Sequence, residues 1–155
     1  MPNQNYFSLL NINLEFDIDI NDLYRKYISL HQSYNANSQN NNLPYLNQAY
    51  EILKCPLKRA TYILTLIDRN IDEIKSEEIN TFLQDFYDEL ELLEDITLKE
   101  EIENFIEKKT KTKKNILSQM STSYKNDIED FIIQTIYLTY CIRIIDHAKK
   151  KLFNT

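Results

Sequence analysis

The sequence predicts an all-α protein. The chain of 155 residues has no glycine, whereas primed hairpin turns, phosphate-binding loops and nucleophile elbows use backbone angles that glycine adopts most easily. Apolar residues make up 43% of the chain, which is enough for a packed core. They recur mostly at the spacings of three and four that indicate amphipathic helices. These observations argue against an all-β fold and against a nucleotide-binding fold.

The first helix is predicted over about residues 20–34. Asp19 or Asn21 is a suitable N-cap for it. Its apolar positions share one face: Leu23, Tyr27 and Leu30. Asparagine, serine and glutamine dominate residues 34–42. Because these side chains compete for backbone hydrogen bonds, we expect an exposed loop there.

Two prolines bound the next predicted helix. Pro44 suits a first helical turn, and Pro56 interrupts the hydrogen-bond ladder. The apolar positions between them have helical spacing: Leu46, Ala49, Tyr50 and Leu53. A shorter helix is expected to follow over about residues 57–67.

A domain boundary is predicted near residues 68–76, where polar residues break the helical pattern. Ser76 has the features of an N-cap for a new helix. The chain therefore divides into an N-terminal helical domain (5–68) and a C-terminal three-helix bundle (76–153). The helices of the bundle are expected over 77–95, 97–120 and 124–153, with turns at 95–97 and 121–123.

The composition argues against an enzyme and against a metal or cofactor site. His31 and His147 are the only histidines, and we interpret both as surface or boundary residues. Cys55 and Cys141 lie far apart and form no Cys-x-x-Cys pair. We therefore expect no catalytic residues, no metal and no cofactor.

Charge and hydropathy predict a cytoplasmic protein that binds neither nucleic acid nor a membrane. The net charge is −6, and no aromatic residue interleaves with the lysines of 108–114 to provide a stacking platform. The most apolar run, 131–145, is too short and too polar to cross a bilayer. The first residues also show no basic and apolar secretory leader.

The helix predicted over 77–95 offers a candidate surface for binding another protein. At about 100° per residue, Leu83 and Tyr87 fall together beside the core stripe, with Asp88 and Glu91 further round. The last helix has apolar residues around most of its circumference, so some apolar surface should stay uncovered and mark a partner site. The alternative is that the N-terminal domain covers this surface.

Two segments of the chain resemble a known family. The first is Tyr6-Phe7-Ser8-Leu9-Leu10, and the second runs from Asn47-Gln48-Ala49-Tyr50 through Pro56-Leu57, Arg59-Ala60 and Tyr62-Ile63-Leu64. In this order, followed by an acidic helical segment, they resemble the HscB family of J-domain co-chaperones that serve iron–sulfur cluster assembly. A looser match continues to about Phe153. The resemblance implies a J-like domain packed on a three-helix bundle.

In this family, the J-domain engages an HscA-type ATPase chaperone and stimulates its ATP hydrolysis, while the bundle binds the IscU-type iron–sulfur scaffold protein. Carried over by position, the chaperone contacts would be Arg25, Lys26 and the loop Asn35, Ala36 and Asn37. The scaffold contacts would be Leu83, Tyr87, Asp88, Glu91 and Tyr140.

The expected loop departs from the family pattern. Asn35-Ala36-Asn37 stands where the family has His-Pro-Asp, so both titratable groups and the fixed φ of proline are missing. We therefore expect weakened or lost ATPase stimulation. A competing hypothesis is a structural or regulatory adaptor with a degenerate J-like domain and no role in cluster assembly.

Overall fold

The computed structural model describes residues 4–37, 42–74 and 76–155, and every regular element within these ranges is helical. The elements follow in this order: α1 (Tyr6–Leu9), α2 (Ile20–Ala36), α3 (Leu43–Lys54), α4 (Pro56–Leu66), a 3₁₀ turn (Ile71–Glu73), α5 (Glu77–Asp95), α6 (Lys99–Asn126) and α7 (Ile128–Asn154). They group into two compact units, Met1–Asp68 and Arg69–Thr155. The all-α prediction is confirmed for the described residues.

The first unit is built on an antiparallel pair of helices, α2 and α3. The Tyr27 hydroxyl donates to Asn47 Oδ1 at 2.9 Å, and Tyr27 stacks on Tyr50 with ring centroids 4.2 Å apart. The short α1 is attached to α4, because the Tyr62 hydroxyl accepts from the Tyr6 amide at 3.0 Å. The buried apolar residues of this unit include Phe7, Leu10, Phe16, Leu23, Leu46, Leu53, Ile63 and Leu64.

The helix ends in this unit follow the sequence signals closely. Asp19 caps α2, since its Oδ1 accepts from the amides of Asn21 and Asp22 at 2.9 and 3.0 Å. Two described residues have a positive φ, Asn11 at 52° and Asp68 at 55°. Asparagine and aspartate tolerate this region better than most residues do, which explains how this part of a chain without glycine makes these turns.

The second unit is a three-helix bundle in which α5 and α7 run in parallel and α6 runs antiparallel to both. The Tyr137 hydroxyl donates to Glu78 near the start of α5, and His147 pairs with Glu94 near its end. Ser76 caps α5, because its Oγ accepts from the Ile79 amide at 3.2 Å. One buried cluster joins the three helices: Phe86, Leu93, Ile102, Ile144 and Ala148.

Two predicted loops are shorter than expected. The turn predicted at 121–123 is helical, and α6 continues to Asn126. The hydroxyls of Ser121 and Ser123 bond to carbonyls four residues back, at 3.1 and 2.7 Å. The hydroxyls therefore find hydrogen-bond partners within the helix, and the backbone does not need to turn. The predicted loop over 34–42 begins only at Asn37, since α2 ends at Ala36, and residues 38–41 lie outside the described residues.

The last helix leaves less apolar surface uncovered than the sequence predicts, and what remains comes from half-buried residues such as Tyr140. None of the large apolar residues of 131–145 is exposed in the structure, because each is buried or half-buried. The sequence-based argument counted only three helices, whereas the 3₁₀ turn at Ile71–Glu73 also packs against α7. The exposed large apolar residues of the second unit are Tyr87, Leu92, Leu98 and Phe153.

Candidate functional site

The tripeptide Asn35-Ala36-Asn37 lies at the C-terminal end of α2. Asn35 and Ala36 form the last turn of the helix, Asn37 follows it, and all three residues are exposed. The Asn35 amide nitrogen lies 3.2 Å from His31 Nδ1, one turn back. The end of α2 therefore presents amides to solvent.

The two basic residues of α2 are engaged by one carboxylate. Asp22 pairs with Arg25 at 3.2 Å and with Lys26 at 2.8 Å, and the Lys26 ammonium also donates to the Asn11 carbonyl at 2.7 Å. The hydrogen bond from Lys26 lowers the pKa of the Asp22 carboxyl, because it stabilises the charged form. This face of α2 is consequently less positive than the sequence suggests.

On the bundle, three of the predicted site residues lie close together. Leu83 and Tyr140 line the same groove. Tyr87 packs edge-on against Phe86, which packs edge-on against Tyr140, with ring centroids 5.5 and 4.9 Å apart. Tyr87 is 59% exposed. We call Leu83, Tyr87 and Tyr140 the apolar rim.

Of the two predicted carboxylates, Asp88 lies away from this cluster, whereas Glu91 follows Tyr87 by one helical turn. At about 100° per residue, Asp88 lies about 140° round α5 from Leu83, on the side that faces α6. There it accepts from the Gln84 amide at 2.9 Å and lines a separate groove of about 300 Å³ between α5 and α6. Glu91 is exposed.

Comparison with known proteins identifies the family. A curated co-chaperone protein HscB of Proteus mirabilis is 34% identical over 127 residues, which cover 75% of this chain and 68% of the relative. The chain belongs to the HscB family of co-chaperones. An HscB homologue of Colwellia psychrerythraea is 33% identical over 106 residues, 59% of each chain, and one of Haemophilus ducreyi is 25% identical over 135 residues, 77% of this chain and 78% of the relative. No family model matches.

Solved structures of HscB-type proteins share the fold. Human HscB aligns with 100% of this chain and 85% of its own, with a TM-score of 0.85 and 22% identity. HscB from Vibrio cholerae covers 94% of this chain and 96% of its own, with a TM-score of 0.80 and 22% identity. The Jac1 co-chaperone of Saccharomyces cerevisiae gives 0.71 at 22% identity, over 89% and 83% of the two chains. The N-terminal J-like domain and the C-terminal helical bundle are therefore those of the HscB fold.

The sequence analysis of this HscB-family chain missed several residues near the predicted site. Leu92 is 62% exposed and lines the α5–α6 groove together with Asp88 and Phe105. Its spacing of four from Asp88 was a usable signal, because residues four apart on a helix are neighbours. Ile71 and Ile74, at the start and just past the end of the 3₁₀ turn, line the same groove as Leu83. No apolar periodicity marks so short a turn.

One lysine of α6, Lys109, has a structural role that the charge pattern did not predict. Lys109 is buried to 9% exposure, where it pairs with Glu89 of α5 and lies 5.8 Å from the Phe105 ring centroid. Lys111 forms an exposed pair with Glu107 at 2.8 Å. Lys109 therefore links α5 and α6.

The part of the chain that the structure describes contains no group of three or more histidine, cysteine or carboxylate side chains that could hold a metal. Cys141 is buried, its thiol lies 3.5 Å from the Lys109 carbonyl, and burial raises the pKa of this thiol. Such a thiol is a weak nucleophile. Among the described helices, none combines the length and apolarity needed to span a bilayer.

Proposed function

We propose that this HscB-family protein is a co-chaperone of iron–sulfur cluster assembly. Its bundle binds the IscU-type scaffold protein and presents it to an HscA-type ATPase chaperone. Family membership supports the co-chaperone role, and it favours this role over an adaptor with no part in cluster assembly. Cytoplasmic localisation stays a prediction.

The apolar rim is the observation that carries the scaffold-binding half of the proposal. Large, exposed aromatic side chains are common anchors of protein interfaces, because they bury much apolar area at a small cost in conformational entropy. Tyr87 is such a residue, and its ring packs edge-on against the ring of the buried Phe86. Leu83 and Tyr140 extend the same apolar surface into a groove. Asp88 and Glu91 would act at the margins of this contact.

Calorimetric titration of the purified scaffold protein tests this half. A Tyr87→Ala variant should weaken binding about tenfold or more, and a triple variant with Leu83→Ala and Tyr140→Ala about a hundredfold or more. Leu98→Ala and Phe153→Ala are matched controls, since both residues are exposed and apolar and neither lines the rim. Equal binding by the wild type and the triple variant would rule out the rim as the scaffold site.

The chaperone-binding half of the proposal places Arg25, Lys26 and Asn35-Ala36-Asn37 against the HscA-type chaperone, with weakened stimulation. Three features support weakening. The tripeptide has no group that ionises near neutral pH and no proline, and Asp22 already engages both cations. Charge-assisted contacts, which are the stronger kind of hydrogen bond, are therefore fewer at this surface.

The test for this half is ATP turnover by the cognate chaperone, with and without the protein. We expect stimulation below about twofold, which corresponds to less than about 0.4 kcal/mol of barrier. A family member that carries His-Pro-Asp serves as the positive control. Stimulation as strong as that of the control would show that the asparagine tripeptide is fully competent.

A further inference from the structure

A second feature adjoins the apolar rim. Residues 71–74, which we call the 3₁₀ segment, line a groove of about 490 Å³ together with α5 and α7. This volume lies within the range of about 300–1,000 Å³ that is typical of ligand pockets, so the groove has room for large side chains. Its apolar wall consists of Ile71, Ile74, Ile79, Leu83, Ile136 and Tyr140.

The groove has a cation at its mouth. Arg143 is exposed, lines the groove, and holds its guanidinium 5.1 Å from the centroid of the Tyr140 ring. Among the described residues, Arg143 forms no ion pair with a carboxylate, and the exposed Asp72 lines the same groove. A guanidinium that is positioned by an aromatic ring and has no ion-pair contact can bind a carboxylate in a planar, bidentate contact.

The groove and the rim form one continuous surface, because Leu83 and Tyr140 belong to both. A protein that covers Tyr87 and Leu83 therefore also reaches the mouth of the groove. The exposed Asn80, one turn before Leu83, lines the same groove and offers an amide to the partner backbone.

We propose that this groove is a specificity pocket for the scaffold protein. It takes a large apolar side chain of the scaffold between the isoleucines of the 3₁₀ segment and α7, and Arg143 pairs with a scaffold carboxylate next to that side chain. This inference rests on the scaffold binding proposed above. It adds the segment at Ile71–Ile74 and the charge of Arg143 to the contact, and it specifies the chemistry of the scaffold segment.

Charge reversal on α7 provides the first test. Arg143→Glu should weaken scaffold binding about tenfold, whereas Arg143→Lys should stay within about threefold. Lys149→Glu is the matched control, because it makes the same charge change at an exposed position of the same helix and does not line the groove. Raising the salt concentration from about 0.1 M to about 1 M should shrink the difference between the wild type and Arg143→Glu.

Truncation of the apolar wall provides the second test. Ile74→Ala should weaken binding about threefold to tenfold through lost burial, with a melting temperature close to that of the wild type because Ile74 is only half-buried. Scaffold variants in which single carboxylates become lysine should recover part of the binding lost in Arg143→Glu, and they identify the paired carboxylate.

The outcomes separate this inference from the proposed function. If the wild type fails to bind the scaffold, both proposals fall. If Tyr87→Ala loses binding while Arg143→Glu and Ile74→Ala bind like the wild type, only the pocket is refuted. If instead the wild type forms a dimer that Ile74→Ala abolishes, as measured by analytical ultracentrifugation, the groove is occupied by a second copy of the chain and the inference is wrong.

Discussion

Arg59 is a buried cation that ties three segments of the J-like domain together. It is 5% exposed, its Nε donates to the Phe16 carbonyl at 2.7 Å, and its Nη1 donates to the Leu53 carbonyl. Its guanidinium also lies 5.3 Å from the Phe16 ring centroid. Burial lowers the pKa of Arg59, and the nearby Asp17 carboxylate opposes this shift. The chain segment before α2, the end of α3 and α4 are thus joined by one side chain.

Replacing Arg59 by methionine should lower the free energy of unfolding by about 2–4 kcal/mol. The two carbonyls that Arg59 serves would lose their partner, and each buried acceptor left unsatisfied costs about 1–3 kcal/mol. Denaturant unfolding monitored by circular dichroism measures the change. The matched control is Lys58→Met at the exposed neighbouring position, which should change stability by less than about 0.5 kcal/mol. Equal stabilities of the two variants would contradict the proposed role of Arg59.

At the residue scale, the sequence showed which residues matter better than it showed which partners they contact. It singled out Arg59 as part of the family pattern, but no periodicity reveals that this arginine reaches a carbonyl 43 positions away. Likewise, Arg25 and Lys26 were read as available cations, because a pattern of charges does not say which rotamers bring them to Asp22. A long polar side chain can reach several partners, and the packing around it determines which one it contacts.

At the scale of elements, α5 and α7 are joined by Tyr137, whose phenol has a raised pKa. Tyr137 stacks on Phe82 with ring centroids 4.1 Å apart, and its hydroxyl donates to Glu78 Oε1 at 2.9 Å. Burial, together with this hydrogen bond, raises the pKa of Tyr137 to about 12. The neutral phenol is therefore the form that joins the two helices.

This shift predicts how the contact depends on pH. Because the pKa in the folded protein exceeds the ordinary value of 10.0, the stabilisation is fully present below pH 10 and is lost as the pH rises through about 12. Ultraviolet difference absorbance between the wild type and Tyr137→Phe isolates this one tyrosinate, and it should titrate with a midpoint near 12. A midpoint near 10, as for an exposed tyrosine, would contradict the contact.

Element boundaries were predicted best where a capping residue and a stripe coincide. For α5, Ser76 and the apolar stripe gave 77–95, the observed range. The break between α6 and α7 was misplaced, because serine and threonine signal turns in sequence but bond back to their own helix here. The carboxylate that ends the pattern is Asp127, which caps α7 by accepting from the Asp130 amide at 3.1 Å.

At the scale of the whole molecule, each of the two units has its own set of buried residues. The cluster around Leu93 and Ile102 is complete within the bundle, and the clamp of Arg59 is complete within the J-like domain. The 3₁₀ segment belongs to the bundle, where Arg69 pairs with Glu129 of α7. Separate cores of this kind are characteristic of domains that fold independently.

A fragment of residues 69–155 should therefore fold alone. We expect a helical circular dichroism spectrum, a cooperative unfolding transition, and a scaffold affinity within about threefold of that of the full chain. The full chain under the same conditions is the control. A fragment that unfolds without cooperativity would show that the bundle depends on the first unit.

Asp22 gives the α2 face an internal competitor for any acidic partner. If the proposed chaperone contact forms here, an acidic segment of the chaperone competes with this carboxylate for Arg25 and Lys26. Electrostatic attraction governs how often such encounters succeed. Under the proposed function, one internal anion would therefore slow chaperone association without any change in the tripeptide at the end of the helix.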